Sequence, residues 1–87
     1  MEPPVSRRLR ERVLLIVYRL ADGAVSNRPL VKDVAREANV DEEACERVLR
    51  HLESRRFVIT SCDFVGRNVR LEVTGIDEAE RLATLDG

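Results

Sequence analysis

Apolar residues recur at helical spacing near the start of the chain. They stand three or four residues apart, at Leu9, Val13, Ile16, Val17 and Leu20. This period predicts a helix over residues 7–21, with Ser6 as its N-cap and the Asp22-Gly23 pair as its stop signal. Three more apolar residues lie outside the stripe, namely Leu14, Leu15 and Tyr18. The helix is therefore either central and well buried or one side of a dimer interface.

A short second helix is predicted over residues 30–38. Pro29 suits a first helical turn, and a stub of strand over residues 24–26 is expected before it. The residues that share one side of this helix are Val31, Val34, Ala35 and Ala38.

A tight turn and a third helix come next. Asn39 can adopt the left-handed conformation that ends the second helix, and Asp41 can cap a third helix that runs to about Arg55. The predicted core side of the third helix consists of Cys45, Val48, Leu49 and Leu52. Its outer side consists of Glu43, Glu46, Arg47, Arg50 and Ser54.

The pattern then changes from helical spacing to alternation. Residues 57–65, FVITSCDFV, and residues 69–73, VRLEV, predict two strands, and the GRN of residues 66–68 predicts the turn between them. Thr74 begins a segment typical of a capping box, which predicts a final helix. The apolar side of that helix consists of Ile76, Ala79, Leu82 and Ala83.

Length and composition predict one soluble domain. The chain has 87 residues, of which 44% are hydrophobic and 36% charged, so it can bury a single small core. We expect an α+β, mostly α domain over residues 6–83, with tails at residues 1–5 and 84–87. Because the formal net charge is −1, no overall positive field would draw the molecule to nucleic acid, and any such attraction must be local.

The N-terminal segment does not predict an export signal or a membrane anchor. Arg10, Glu11 and Arg12 interrupt the approach to the apolar run, and Arg19 ends that run. The run is too short for a signal peptide or a membrane-spanning helix. The expected location is therefore the cytoplasm, without membrane association.

Candidate catalytic and metal-binding residues are few. Cys45 and Cys62 form no CxxC pair and have no histidine at ligand spacing, so we expect two buried, unreactive thiols and no metal site. His51 is the lone histidine, and Ser54 follows it without an acid to orient the pair. The sequence predicts no enzyme, no catalytic residue and no cofactor.

The order helix, helix, tight turn, helix, hairpin, helix resembles a winged helix-turn-helix. The frame positions of that motif are filled by Ala35, Asn39, Cys45 and Val48. The segments VLRHLESRRFVI and NVRLEVTGIDEAERLA resemble the recognition-helix exit, wing and following helix of MarR-like and ArsR-like bacterial regulators. The usual spacing there places two residues between threonine and glycine, whereas Gly75 directly follows Thr74.

The resemblance implies a contact with double-stranded DNA through the third helix and the wing. Carried over by position, the candidate nucleic-acid-binding residues are Arg28, Lys32, Arg47, Arg50, Arg67, Asn68 and Arg70. An arginine at a wing tip can enter a minor groove, and the second helix can meet phosphates at its start. The leading hypothesis is a transcription regulator or accessory DNA-binding protein.

Acidic residues favour a second hypothesis. The exposed start of the third helix would bring Asp41, Glu42, Glu43 and Glu46 towards DNA, where carboxylates repel phosphates. The same helix could instead bind a basic protein surface, as a protein-interaction module without nucleic acid. A homodimer is also expected, because several apolar residues exceed what one small core needs. These are Leu14, Leu15, Tyr18, Leu82 and Leu85.

Overall fold

A computed structural model describes residues 6–86, and the predicted tail at residues 1–5 lies outside them. Within the described range the elements follow one another as α1 (Arg7–Leu20), α2 (Val31–Ala38), α3 (Glu42–Ser54), β1 (Val58–Asp63), β2 (Gly66–Leu71) and α4 (Val73–Asp86). The two strands pair antiparallel. This is the predicted winged helix-turn-helix, with four helices and a hairpin in the described residues.

The first helix is the central element. The Ser6 hydroxyl oxygen accepts a hydrogen bond from the Leu9 N–H at 3.1 Å, as a predicted N-cap should. The helix ends before Asp22 and Gly23, whose positive φ values of 55° and 69° reverse the chain. Because α1 contacts α2, α3, α4 and β2, Leu14 is buried in the core. Leu14 lies outside the narrow apolar stripe of α1, and it is still buried because other elements pack around this helix on several sides.

The tight turn between α2 and α3 has the predicted geometry. Asn39 has φ 58° and ψ 44°, which is the left-handed conformation that ends α2. The Asp41 carboxylate accepts from the Ala44 N–H at 2.7 Å and caps α3. Since Arg56 has a positive φ of 63°, the chain turns sharply after α3 and enters the hairpin.

The connection before α2 differs from the prediction. The expected strand over residues 24–26 does not form, and Leu30 instead makes an isolated antiparallel bridge with Asn68. Leu30 is therefore extended and acts as the N-cap residue of α2, which begins at Val31. The prediction of a strand over residues 24–26 was therefore wrong, and Leu30 alone is bridged to the hairpin.

The hairpin turn was predicted too late. Asp63 pairs with Gly66, so the two-residue turn is Phe64-Val65, and residues 66–68 belong to β2. The turn forms around apolar residues because the Asp63 Oδ1 atom accepts from the N–H groups of Val65, at 2.9 Å, and Gly66, at 3.3 Å. The Asp63 carboxylate thus stabilises the turn, whereas the sequence pattern had indicated a turn formed by Gly66 and Asn68.

The capping box predicted at Thr74 was also wrong. The last helix begins at Val73, and the Thr74 hydroxyl donates to the backbone oxygen of Arg56. The chain is held at this point because the Glu72 N–H donates to the Phe57 carbonyl at 2.9 Å. The helix continues to Asp86, so residues 84–86 are helical and not part of a tail.

One hydrophobic core joins all the elements. Its fully buried large residues include Val13, Leu14, Val17, Val34, Val48, Leu49, Val58, Val69 and Leu71. Cys45 is buried within it, as predicted, whereas Cys62 on β1 is exposed, so its predicted burial was wrong. Leu82 is also a core residue. The excess of apolar residues is therefore smaller than the sequence indicated.

Candidate nucleic-acid interface

The start of α2 lies against the second strand of the hairpin. The Val69 N–H donates to the Pro29 carbonyl at 3.0 Å, next to the bridge between Leu30 and Asn68. These backbone contacts fix the segment that carries Arg28 and Lys32 beside the hairpin. Both side chains are exposed. Two predicted phosphate contacts therefore adjoin the wing, although both precede its first strand by about 30 residues in the chain.

The third helix is tied to the same strand by an ion pair. The Arg67 Nε and Nη2 atoms both donate to the Glu46 carboxylate, each at 2.8 Å. The hydrogen bond from Arg67 lowers the pKa of Glu46, and the same bond raises the pKa of Arg67. This bidentate contact holds the Arg67 guanidinium in one orientation and places the two opposite charges together. The wing arginine is thus already occupied in the free protein.

The other predicted cations have different surroundings. Arg47 is half-buried and lies 3.8 Å from the Glu43 carboxylate one helical turn away. Arg50 is exposed on α3, and Arg70 is half-buried on β2. Lys32 thus lies on α2, Arg28 in the connection before it, and the remaining predicted cations on α3 and β2. Acidic side chains of α3 are interleaved with them.

Asn68 does not lie on this surface. Its side chain is buried, at 2% relative exposure. The Asn68 Oδ1 atom accepts from the Ser61 hydroxyl at 2.7 Å, and its Nδ2 group donates to Asp63 Oδ2 at 3.3 Å. We therefore remove Asn68 from the predicted contacts, because its amide is used within the hairpin to support the turn.

The wing ends in two apolar side chains that sequence reasoning missed. Phe64 is fully exposed and Val65 is 63% exposed. Asp63 holds the turn through the two N–H groups described above, so the tip is a defined structure. The signal in the sequence was an aspartate followed by two residues and a glycine, in which Asp63 can accept from the backbone of the turn.

His51 and Ser54 do not form a catalytic pair. The Ser54 hydroxyl donates to the His51 backbone carbonyl at 2.6 Å and not to the ring. The ring nitrogen Nε2 instead contacts the Arg10 guanidinium of α1. Among the described residues no three potential ligands converge on a metal position. In residues 6–86, no helix has the length and apolar character needed to cross a bilayer.

A groove lies between α1 and α4. Its volume is about 760 Å³, and its apolar lining includes Leu15, Tyr18 and Leu85. Leu85 is 70% exposed. Arginines surround the apolar residues, namely Arg7, Arg8, Arg12, Arg19 and Arg81. Part of the apolar surface that remains after Leu14 is assigned to the core thus lies in this groove.

Helix-turn-helix, hairpin and surrounding helices together define the winged-helix class. No protein-family profile and no curated protein sequence matches the chain. Solved structures do resemble it. A protein of Archaeoglobus fulgidus superposes with a TM-score of 0.82 at 15% identity, over 93% of this chain and 87% of that protein. A Ralstonia eutropha protein described as a candidate for DNA binding gives 0.72 at 24% identity, over 90% and 98%.

A further similar structure is MepR, a transcription regulator of the Staphylococcus aureus multidrug efflux pump MepA. Its TM-score is 0.73 at 18% identity, over 88% of this chain and 55% of MepR. The chain thus spans little more than half of MepR. A MepR variant has been solved bound to an oligodeoxyribonucleotide. At these identities the likeness shows the fold, which is the winged helix found in MarR-family regulators.

Proposed function

We propose that this chain binds double-stranded DNA through α3 and the wing, as a small transcription regulator or accessory DNA-binding protein. The observation that carries the proposal is the backbone pairing of residues 29–30 with residues 68–69. This pairing puts Arg28 and Lys32 beside the strand that bears Arg67 and Arg70. Cations from three elements can then meet phosphates on both sides of a groove.

The distal half of α3 leads the proposed contact. Arg50 is exposed there, whereas the first turn of α3 carries the exposed acids Glu42 and Glu43. A docking that entered with the first turn would bring carboxylates close to phosphates. We therefore place Arg50 and the hairpin nearest to DNA, with Arg28 and Lys32 at the flanking backbone.

The test is a salt titration of binding to a duplex of random sequence, beginning at about 50 mM salt. Arg50→Ala should weaken binding and flatten the plot of log K against log salt by about 0.9. Arg81→Ala is the matched control, because Arg81 is an exposed arginine paired with Glu78 at 2.7 Å on α4, outside the elements proposed to meet DNA. Absence of binding by the parent at that salt would reject the proposal.

Protein interaction is the second candidate function. It is favoured by the exposed acids at the start of α3 and by the apolar tip formed by Phe64 and Val65. A basic partner surface would complement the acids, and an apolar pocket would accept the tip. In that case neutralising Glu42 and Glu43 weakens a protein complex, whereas the parent shows no binding to duplex DNA at low salt.

We also propose a homodimer through α1 and α4. The groove between them combines half-buried Leu15 and Tyr18 with exposed Leu85. Sedimentation at tens of micromolar should give twice the monomer mass.

A single charge should break this dimer. Leu85→Glu should give monomers, whereas Val25→Glu, at an apolar residue that is 42% exposed before α2, should leave the dimer intact. A parent protein that sediments as a monomer would remove the proposed interface without affecting the DNA-binding proposal for one copy.

A further inference from the structure

We propose that Glu46 competes with DNA phosphate for Arg67, and that this competition sets the contribution of the wing to DNA affinity. This inference rests on the proposed DNA-binding function. It makes Glu46 a determinant of affinity, beyond the general repulsion that any acid on α3 exerts. The feature that carries it is the ion pair between α3 and β2.

The geometry of the pair matches the contact that a phosphate would make. Arg67 presents Nε and Nη2 to the two carboxylate oxygens of Glu46, at 2.8 Å each. Phosphate accepts the same planar fork through two of its oxygens. The two ligands therefore require the same donors in the same plane. Arg67 cannot give both donors to Glu46 and to a phosphate at once.

The pair is also accessible to an incoming phosphate. The side chain of Arg67 is 43% exposed and that of Glu46 is 27% exposed. Exposed ion pairs are exchanged easily, because their net contribution to stability is small. The ion pair thus holds Arg67 in the free protein, yet it is exposed enough for a phosphate to replace Glu46 when DNA reaches the wing.

Exchange has a consequence for Glu46 itself. After Arg67 turns to a phosphate, the Glu46 carboxylate faces the DNA without its partner, and the remaining nearby cation is Arg50, one turn along α3. Arg50 is the residue that we place closest to the duplex. When Arg67 leaves, Glu46 therefore attracts Arg50, and this attraction competes with the contact between Arg50 and DNA. The gain in DNA affinity from the wing contact is smaller as a result.

Glu43 provides a matched control on the same helix. Its side chain is 83% exposed, and it lies 3.8 Å from Arg47 without an interaction with the hairpin among the described contacts. General repulsion of phosphates acts on Glu43 as it does on Glu46. Only Glu46 is linked to Arg67.

The experiment is a double-mutant cycle on DNA binding with Glu46→Gln, Arg67→Ala and both changes together. Competition predicts that Glu46→Gln tightens binding up to about fivefold, the size of an exposed ion pair. It should also steepen the salt dependence by up to about 0.9, because Arg67 then contacts phosphate in a larger share of the complexes. In the Arg67→Ala background the effect of Glu46→Gln should shrink to that of Glu43→Gln, which measures general repulsion alone. Glu43→Gln should have equal effects in the two backgrounds.

Two results would overturn the inference while the DNA-binding proposal stands. If Glu46→Gln tightens binding equally without Arg67, Glu46 acts by general repulsion alone. If Glu46→Gln weakens binding while its melting temperature matches the parent, the bridge orients the wing and does not compete with phosphate. If neither the parent nor Glu46→Gln binds duplex DNA at about 50 mM salt, the proposed function fails and this inference fails with it.

Discussion

Gly75 lies directly against the backbone carbonyl of Phe57. A Cβ atom built at Gly75 would approach the Phe57 oxygen to 1.9 Å, which is far inside contact distance. Gly75 lies in the first turns of α4, and Phe57 lies at the start of the hairpin. The helix can therefore approach the hairpin only because this position has no side chain.

Gly75→Ala should destabilise the protein, although the same change usually stabilises a helix by about 1 kcal/mol. The backbone contact with Phe57 cannot shift cheaply, so we expect a loss of roughly 1–3 kcal/mol in the free energy of unfolding. Thermal melting is the measurement. Ala83→Ser, at an exposed position of α4, is the control and should change little. An equal or higher melting temperature for Gly75→Ala would disprove the close approach.

Ala35→Leu should also be strongly destabilising. Ala35 is buried in α2, and its carbonyl accepts from the Val40 N–H at 3.1 Å in the tight turn. Extra methylene groups would overfill this crossing, at a cost of roughly 1–3 kcal/mol. Ser54→Ala, on the exposed side of α3, should melt at about the parent temperature. Equal melting temperatures for the two variants would mean that the α2–α3 contact is not close.

The two thiols should differ in reactivity. Burial, followed by the charges of Glu46 and Glu42, raises the pKa of Cys45 to about 11. Cys62 is exposed on the hairpin. A maleimide added to the folded protein near neutral pH should therefore label one cysteine rapidly, and Cys62→Ser should abolish that labelling. Rapid labelling of both thiols in the parent would show that the core opens around Cys45.

Acidification should weaken the contact between α1 and α3 at His51. Partial burial of the ring, then the charges of Arg10 and Arg55, lower the pKa of His51. Because the folded-state pKa lies below the unfolded value of about 6.5, this stabilisation is present above that value and is lost as the pH falls through the folded pKa. His51 and Arg10 line a cavity of about 340 Å³, and its further charged lining residues are Arg7, Glu11, Arg55, Glu78 and Arg81.

The measurement is the melting temperature at about pH 7.5 and about pH 5.5. The parent should lose more stability over this interval than His51→Gln, which cannot become protonated. The difference between the two proteins isolates His51 from carboxylates that titrate at lower pH. Parallel losses in the two proteins would show that the Arg10 contact does not depend on a neutral ring.

Local patterns were enough to predict the helices and the tight turn. Ser6 and Asp41 cap the helices that their positions indicated, and Asn39 takes the left-handed conformation. Each of these features depends on a few neighbouring residues. The order of elements, and hence the winged helix, follows from them with the hairpin.

Local patterns could not predict which residues far apart in the chain contact each other. Asn68 has turn chemistry, yet tertiary pairing with Leu30 and Ser61 places it in the interior. The Glu46–Arg67 pair joins residues 21 positions apart, and it forms only because the turn at Phe64-Val65 sets the register of the strands. The candidate site therefore needed the structure, since its charges are partnered across elements.

The buried amide of Asn68 also bears on the order in which the protein opens. It links Ser61 and Asp63 within the hairpin, while the backbone bridge from the same residue reaches Leu30 at the entrance to α2. A two-stranded hairpin is marginal alone, so the wing gains its persistence from this helix entrance. Slow amide hydrogen exchange in β2 and around Leu30 should consequently be lost together, because these segments form one cooperative unit.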